Sequence, residues 1–275
     1  MSGGGGSENR PGAGSAIPVS CAHTVVGKGP PLVLVHGIGA ARDAWRFMEP
    51  HLANHFTVIT YDLRGHGESP LPGKGEPDFG LDELVADLEA LRQQLGIDAW
   101  HVAGHSLGGM IGPAYARAYP DRVLSLGLFS TAAGRTEDDS AKVWGVVHAM
   151  QEKGIENVLG TLTDRWFTDG FIADNPDLVE RRLKQVLNTD PDVFMNVFRI
   201  YAGTEMMPWL HEVTHPTLIV TGEFDGGCNP RLNRLIEAAM PRAELVILDG
   251  LKHSILAEAG PQVADLHQRF IQGLG

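Results

Sequence analysis

Four short apolar runs follow one another through the first half of the chain, each closed by glycine or a polar turn: "PPLVLVHG" (30–37), "HFTVITYDLRGHG" (55–67), "DAWHVAGHS" (98–106) and "DRVLSLGLFS" (121–130). Runs so continuous in Val, Leu and Ile lack the alternation of a half-wetted sheet and suit parallel strands covered on both faces. Between the second and third, Leu81, Leu84, Val85, Leu88, Leu91 and Leu95 recur at steps of three and four. That spacing is one face of an amphipathic helix, ending at Gly96. Two further runs, "PTLIVTG" (216–222) and "AELVILDG" (243–250), precede a closing helical pattern, "GPQVADLHQRFIQGL". Strands alternating with helices predict an α/β fold with a mostly parallel sheet and helices on both faces.

The alternation stops between Thr131 and His211, where "AKVWGVVHAM", "LVERRLKQVL" and "PDVFMNVFRIYAG" carry helical patterns without strands. The expected organisation is a core domain over 17–130 and 212–275, interrupted by a helical insertion over 131–211. Residues 1–16 are glycine-rich and polar and are expected to be a disordered tail. They lack the apolar stretch of a secretory signal, and no run approaches the roughly 18 apolar residues of a membrane span. The net charge of −12, with no cluster of Lys and Arg, argues against nucleic acid as a partner. Two cysteines without a CxxC pair suggest neither a disulfide framework nor a structural metal site. The expectation is a cytoplasmic protein with free thiols, a monomer or small homo-oligomer, acting on a small molecule without membrane, metal or cofactor.

"GHSLG" (104–108) places one serine between two glycines, after a strand and before a helical pattern. A nucleophile on such a sharp strand-to-helix turn sits in strained backbone, where side chains two positions away would crowd it. The turn exposes the oxygen of Ser106 and aims the positive end of the next helix at the site, where the N–H of Leu107 can meet an oxyanion. A serine nucleophile needs a base and an orienting acid, expected in the order Ser, acid, His at strand ends. "TLIVTGEFDGG" supplies Asp225 and "LVILDGLKHSIL" supplies His253, with Glu223 a rival acid closer to its strand. A second oxyanion donor is expected from the loop "HGIGAARDAW", through the N–H of Ile38. His36, and the cluster Asp62, Arg64 and His66, read as loop bracing, because Ser106, Asp225 and His253 already fill the proton-transfer roles. Met150, Met195, Met206 and Met207 suggest an adaptable apolar pocket or plain core.

"HGIG", "YDLRGHGES", "GHSLGG", "PTLIVTGEFD" and "LKHSILAEAGPQV" stand in the order and spacing of the α/β-hydrolase superfamily, which the chain resembles from about residue 17 onward. Serine at 106 separates it from the haloalkane dehalogenases, which carry aspartate there. Within the superfamily the chain is similar to the enol-lactone hydrolases of the beta-ketoadipate pathway and related small carboxylesterases, through "SLGGMIGPAYARAYPDRVLSLGLFSTAA", "DRWFT" and "NTDPDVFMNVFRIYAG". The resemblance implies that the insertion is a helical cap, that Arg165 and Trp166 line the pocket, and that Arg165 holds a substrate carboxylate. Packing of Trp166 and Phe167 between cap and core fits those residues equally. "DGGCNP" stands where those enzymes carry a proline-rich turn, which implies a reshaped pocket edge. The reading is a serine hydrolase of small esters or lactones. Carbon–carbon or amide hydrolysis, a perhydrolase and a ligand-binding receptor on the same fold stand as alternatives.

Overall fold

The computed structural model describes residues 17–71 and 79–275; the tail expected over 1–16 lies outside the described residues. The strands are β1 (His23–Val26), β2 (Pro31–Val35), β3 (Thr57–Tyr61), β4 (Trp100–His105), β5 (Val123–Phe129), β6 (Thr217–Gly222) and β7 (Ala243–Leu248). They form one sheet in the order β1-β3-β2-β4-β5-β6-β7, parallel throughout except for β1 against β3. The helices are α1 (Glu49–Leu52), α2 (Leu81–Gln94), α3 (Gly108–Ala118), α4 (Glu137–Lys153), α5 (Leu159–Trp166), α6 (Asp169–Asp174), α7 (Pro176–Asn188), α8 (Pro191–Gly203), α9 (Pro230–Ala239), α10 (Ile255–Glu258) and α11 (Gly260–Gln272). None of the described helices is long and apolar enough to cross a membrane.

The continuous apolar runs have a direct explanation in the two faces of the sheet. Val33 and Val35, with Ile59, Val102, Leu128 and Ile219, pack against α2, α3 and α9. The alternate residues Leu32 and Leu34, with Val58, Ala103, Phe129 and Val220, pack against α1, α10 and α11. Both sets are buried, so neither face tolerates polar alternation. β1 escapes the sequence pattern: its four residues, "HTVV", lie on the sheet edge with its two central residues exposed.

Helices α4 to α8 lie between β5 and β6 and carry their own apolar cluster, including Val147, Met150, Leu162, Val186 and Phe194. This is a helical cap insertion on an otherwise doubly wound core. Because β2 has β3 on one side and β4 on the other, the chain reverses its winding direction there. The loops leaving β2 and β4 diverge at that point and open a crevice at the carboxyl ends of the strands.

The turn leaving β4 admits no side chains at its flanks. A Cβ on Gly104 would stand 2.0 Å from the carbonyl oxygen of Gly108, and a Cβ on Gly108 would stand 2.0 Å from the carbonyl oxygen of Val35. The crowding therefore lies between the two glycines and the backbone of β2, rather than against the serine itself. Gly145, exposed within α4, faces open space. Gly104→Ala is accordingly expected to cost about 3 kcal/mol or more, since backbone cannot yield as a side chain does. Gly145→Ala is expected to stabilise by roughly 0.5–1 kcal/mol through helix propensity. Urea denaturation of the two variants checks both signs.

Candidate active site

Ser106 lies between β4 and α3 with φ +56, left-handed backbone that a non-glycine residue rarely adopts. Such a conformation costs on the order of 1–3 kcal/mol and persists only where its surroundings enforce it. Here the Ser106 N–H donates to the Phe129 carbonyl at 2.9 Å, and the Thr131 hydroxyl donates to the Ser106 carbonyl at 3.0 Å. The elbow is thus held from the end of β5, the strand beside it.

Asp225 and His253 come from the loops after β6 and β7, and backbone contacts lace those loops together. Phe224 N–H donates to the Leu251 carbonyl at 2.8 Å, and a Cβ on Gly222 would stand 2.2 Å from the Lys252 carbonyl oxygen. His253 Nδ1 meets Asp225 Oδ2 at 2.7 Å. The other carboxylate oxygen accepts from the N–H groups of Gly227 (3.0 Å) and Cys228 (2.8 Å). The "DGGC" turn therefore serves as a cradle for the acid. Because an ionised carboxylate only accepts, Nδ1 carries the proton and Nε2 is the basic nitrogen of the neutral ring. Burial works against the charged form of His253, but the Asp225 carboxylate more than reverses it and raises the ring above its ordinary 6.5, to about 10. Burial likewise opposes the Asp225 charge, yet His253 and the two N–H donors leave that carboxyl below its ordinary value. Glu223, the rival acid, is exposed and accepts from Gly250 N–H at 2.9 Å, bracing the β7 turn instead.

His105, the variable residue of the serine motif, was not singled out by the sequence. Its Nε2 meets the His253 carbonyl oxygen at 3.1 Å, and the two rings lie 4.9 Å apart. A carbonyl only accepts, so Nε2 carries the proton; burial holds the ring neutral, at about 3. The loop bearing His253 is thereby tied to the residue preceding Ser106.

The loop after β2 is fixed by two more neutral histidines. His36 Nε2 accepts from Leu63 N–H at 3.0 Å, which leaves Nδ1 to donate to the Gly37 carbonyl at 2.8 Å. His66 Nε2 accepts from Gly39 N–H at 3.3 Å, and its Nδ1 lies 3.1 Å from the Arg64 carbonyl. Burial lowers both rings, His36 to about 4 and His66 to about 3. Arg64 is itself held by Asp87 at 2.6 Å, while Asp62 accepts from Arg42 N–H at 2.7 Å and from Glu68 N–H at 3.0 Å. Among the described residues no acceptor takes the N–H of Ile38 or of Leu107, which heads α3. In the trans peptide between Gly37 and Ile38, holding the carbonyl on His36 also sets the direction of the Ile38 N–H.

A cavity of about 170 Å³ brings these groups together, with Ser106, Asp225, His253, Ile38, Arg165 and Trp166 in its lining. The lining also contains Arg46, Arg181 and Arg182, whereas Asp225 is its one carboxylate. Arg46 and Arg181 reach Asp43, and Arg182 donates to the carbonyls of Ile38 and Gly39. Arg165 is exposed and has no hydrogen bond or ion pair among the described residues. Trp166 lies under the Arg182 guanidinium at 4.7 Å. Phe167 is buried and stacks on Phe171 at 5.3 Å. The methionines take no part in the cavity: Met150 and Met195 belong to the core of the insertion, Met206 to the main core, and Met207 packs against it. Asp225, Cys228 and His253 offer ligand atoms within 4.8 Å of one another, a spacing a metal ion can bridge. Asp225 and His253 already engage each other there, and Cys228 Sγ lies 3.2 Å from the Tyr201 hydroxyl.

A strained serine at a strand-to-helix turn, an acid–histidine pair and, among the described residues, two N–H groups without acceptors at the crevice of a mostly parallel sheet match the arrangement of an α/β hydrolase. The family model of the alpha/beta hydrolase fold matches residues 30–259, and the chain belongs to that family. Among its curated relatives is 3-oxoadipate enol-lactonase 2 of Acinetobacter baylyi, 28% identical over 71% of this chain and 72% of the relative. Lipase 3 of a Moraxella species is 27% identical over 90% of this chain and 78% of the relative. The enol-lactonase structure from Burkholderia xenovorans LB400 shares the fold at a TM-score of 0.84, with 24% identity over 92% of this chain and 96% of that one.

The acid–histidine pair has a defined signature in stability. The Asp225 contribution is present above the ordinary carboxyl value of 3.8 and is lost as pH falls through its lowered one. The His253 contribution is present below 6.5 and is lost as pH rises through its raised value. The stability difference between the native chain and Asp225→Asn is therefore expected to be largest between pH 3.8 and 6.5 and to shrink toward about pH 10. Urea titrations across that range check the profile.

Proposed function

We propose that this protein is a serine hydrolase that cleaves a small, carboxylate-bearing ester or lactone through an acyl-enzyme. The observation that carries the reading is Ser106 in strained backbone on the wall of the cavity that also holds the paired Asp225 and His253. Ser106 Oγ attacks the acyl carbon while Nε2 of His253, in the neutral form of the ring, takes its proton, and Asp225 steadies the imidazolium. The carbonyl π electrons move onto oxygen, which the N–H groups of Ile38 and Leu107 receive; such a donor is typically worth about 3 kcal/mol of barrier. Collapse expels the alcohol or enol oxygen, which takes the proton from His253. A released enol becomes the ketone. Water, deprotonated by His253, then attacks the acyl-enzyme, and collapse frees the acid while His253 returns that proton to Ser106 Oγ. The relatives named enol-lactonase and lipase support an ester-type bond as the one cleaved.

Charge in the cavity supports an anionic substrate. Arg46, Arg165, Arg181 and Arg182 line it in a chain whose net charge is −12. Among the described residues nothing engages the side-chain donors of Arg165, which suits a carboxylate remote from the scissile bond. The insertion then acts as a cap that carries the specificity residues.

Stoichiometric labelling with a fluorophosphonate tests the nucleophile. The native chain is expected to take one label, and Ser106→Ala none, with kcat reduced at least ~10⁴-fold; unchanged turnover in Ser106→Ala would falsify the reading. For the anion site, Arg165→Gln is expected to raise KM roughly three- to tenfold for a carboxylate-bearing ester and to leave a neutral ester of equal size within about twofold. Paired Michaelis–Menten measurements on the two esters check it.

A further inference from the structure

The geometry points to Arg182, on cap helix α7, as a positioning residue for the oxyanion site. This inference rests on the reading of Ser106 as nucleophile. One guanidinium nitrogen donates to the Gly39 carbonyl and the other to the Ile38 carbonyl, the latter at 2.8 Å. Two acceptors on successive residues match the planar fork of an arginine, which a lysine ammonium cannot span in the same way. The Ile38 carbonyl shares its peptide with the Gly39 N–H, which His66 Nε2 takes at 3.3 Å, whereas the Ile38 N–H shares its peptide with the Gly37 carbonyl held by His36; Arg182 therefore fixes the peptide that follows the one presenting the Ile38 N–H.

Three further observations set Arg182 apart from an ordinary cap contact. Among the described residues no carboxylate is hydrogen-bonded to it: Asp43, whose charge reaches it, is engaged by Arg181 and Gln185, each at 2.6 Å. A cation beside the oxyanion site, without a directly bonded carboxylate, favours the charged tetrahedral state over the neutral substrate. The guanidinium also lies over the Trp166 ring, and the Trp166 carbonyl accepts from Ser254 N–H at 2.8 Å. A continuous set of contacts thus runs from the residue after His253, through the cap, to the loop bearing Ile38. Finally, the cap rests on this same loop: a Cβ on Gly39, whose φ is +56, would stand 2.5 Å from the Phe194 ring. Seating of the cap and assembly of the oxyanion site are one event.

The test compares the native chain with Arg182→Ala and Arg182→Lys, using p-nitrophenyl acetate, which has no carboxylate to bind. Arg182→Ala is expected to lose roughly 10- to 100-fold in kcat, somewhat less than removal of an oxyanion donor itself. KM is expected to stay within about twofold, and Ser106 phosphonylation by a fluorophosphonate to slow in parallel. Guanidinium at millimolar, non-denaturing concentration is expected to restore several-fold of the lost kcat in Arg182→Ala, while Arg182→Lys recovers little. Unchanged kcat in Arg182→Ala overturns the inference, as does a rise in KM alone, which would make Arg182 a substrate ligand. Loss of activity with a lowered Tm and no guanidinium rescue overturns it in favour of a purely structural contact. A native chain that is neither labelled nor active overturns the hydrolase reading itself, a result distinct from all of these.

Discussion

The carbonyl of Val35 at the end of β2 and the turn that follows β4 approach so closely that Gly108 has no room for a Cβ. Most of the site depends on that approach. It brings the loop bearing Ile38 against the elbow bearing Ser106, at the place where the sheet reverses its winding. A Cβ on Gly37 would stand 3.0 Å from the Ser106 Cβ, which shows how near the two loops lie. The strain stored at Ser106 is held by hydrogen bonds from the neighbouring strand β5 and from Thr131. Ser106 and the N–H groups of Ile38 and Leu107 are therefore held within a few residues of strand ends, which on the proposed reading is the condition for electrostatic preorganisation.

Around this junction the charges follow one plan. Three histidines, the buried His36 and His66 and the part-buried His105, are held neutral, and each makes a directed hydrogen bond to a loop. Among the described residues His253 is the one histidine shifted the other way, because its ring is hydrogen-bonded directly to the buried Asp225 carboxylate. Titratable groups with opposed environments mark the division between scaffold and chemistry. The guanidinium groups come from two sides, Arg46 from the core and Arg165, Arg181 and Arg182 from the insertion. An acidic chain thereby presents a cationic cavity.

Much of this was legible in order along the chain. Continuous apolar runs reported strands buried on both faces, and the step of three and four from Leu81 reported α2, with Gly96 just beyond its end. The glycines at 104 and 108 reported a tight turn, although the clash that requires them is with each other and with β2. β1 was not legible, since a four-residue edge strand is specified by its pairing with β3 rather than by its own pattern. The methionines read as either a pocket or plain core, and the structure buries Met150, Met195 and Met206 in cores and packs Met207 against one.

Within the site the division has the same cause. Ser106, Asp225 and His253 are recognisable because each stands at a fixed offset from a strand end, and strand ends are written in local hydrophobicity. His105 and Arg182 are not, because each acts on backbone distant in sequence: His105 on the His253 carbonyl 148 residues away, Arg182 on the Ile38 carbonyl 144 residues away. The chain alone determined the alternation of elements, the turn chemistry and the order of the reactive side chains, all of which follow from short-range periodicity and backbone sterics. Only the tertiary structure decided which carbonyls the histidines and arginines hold and which guanidinium is left free, because hydrogen-bond partners are chosen by proximity after folding and leave no trace in spacing.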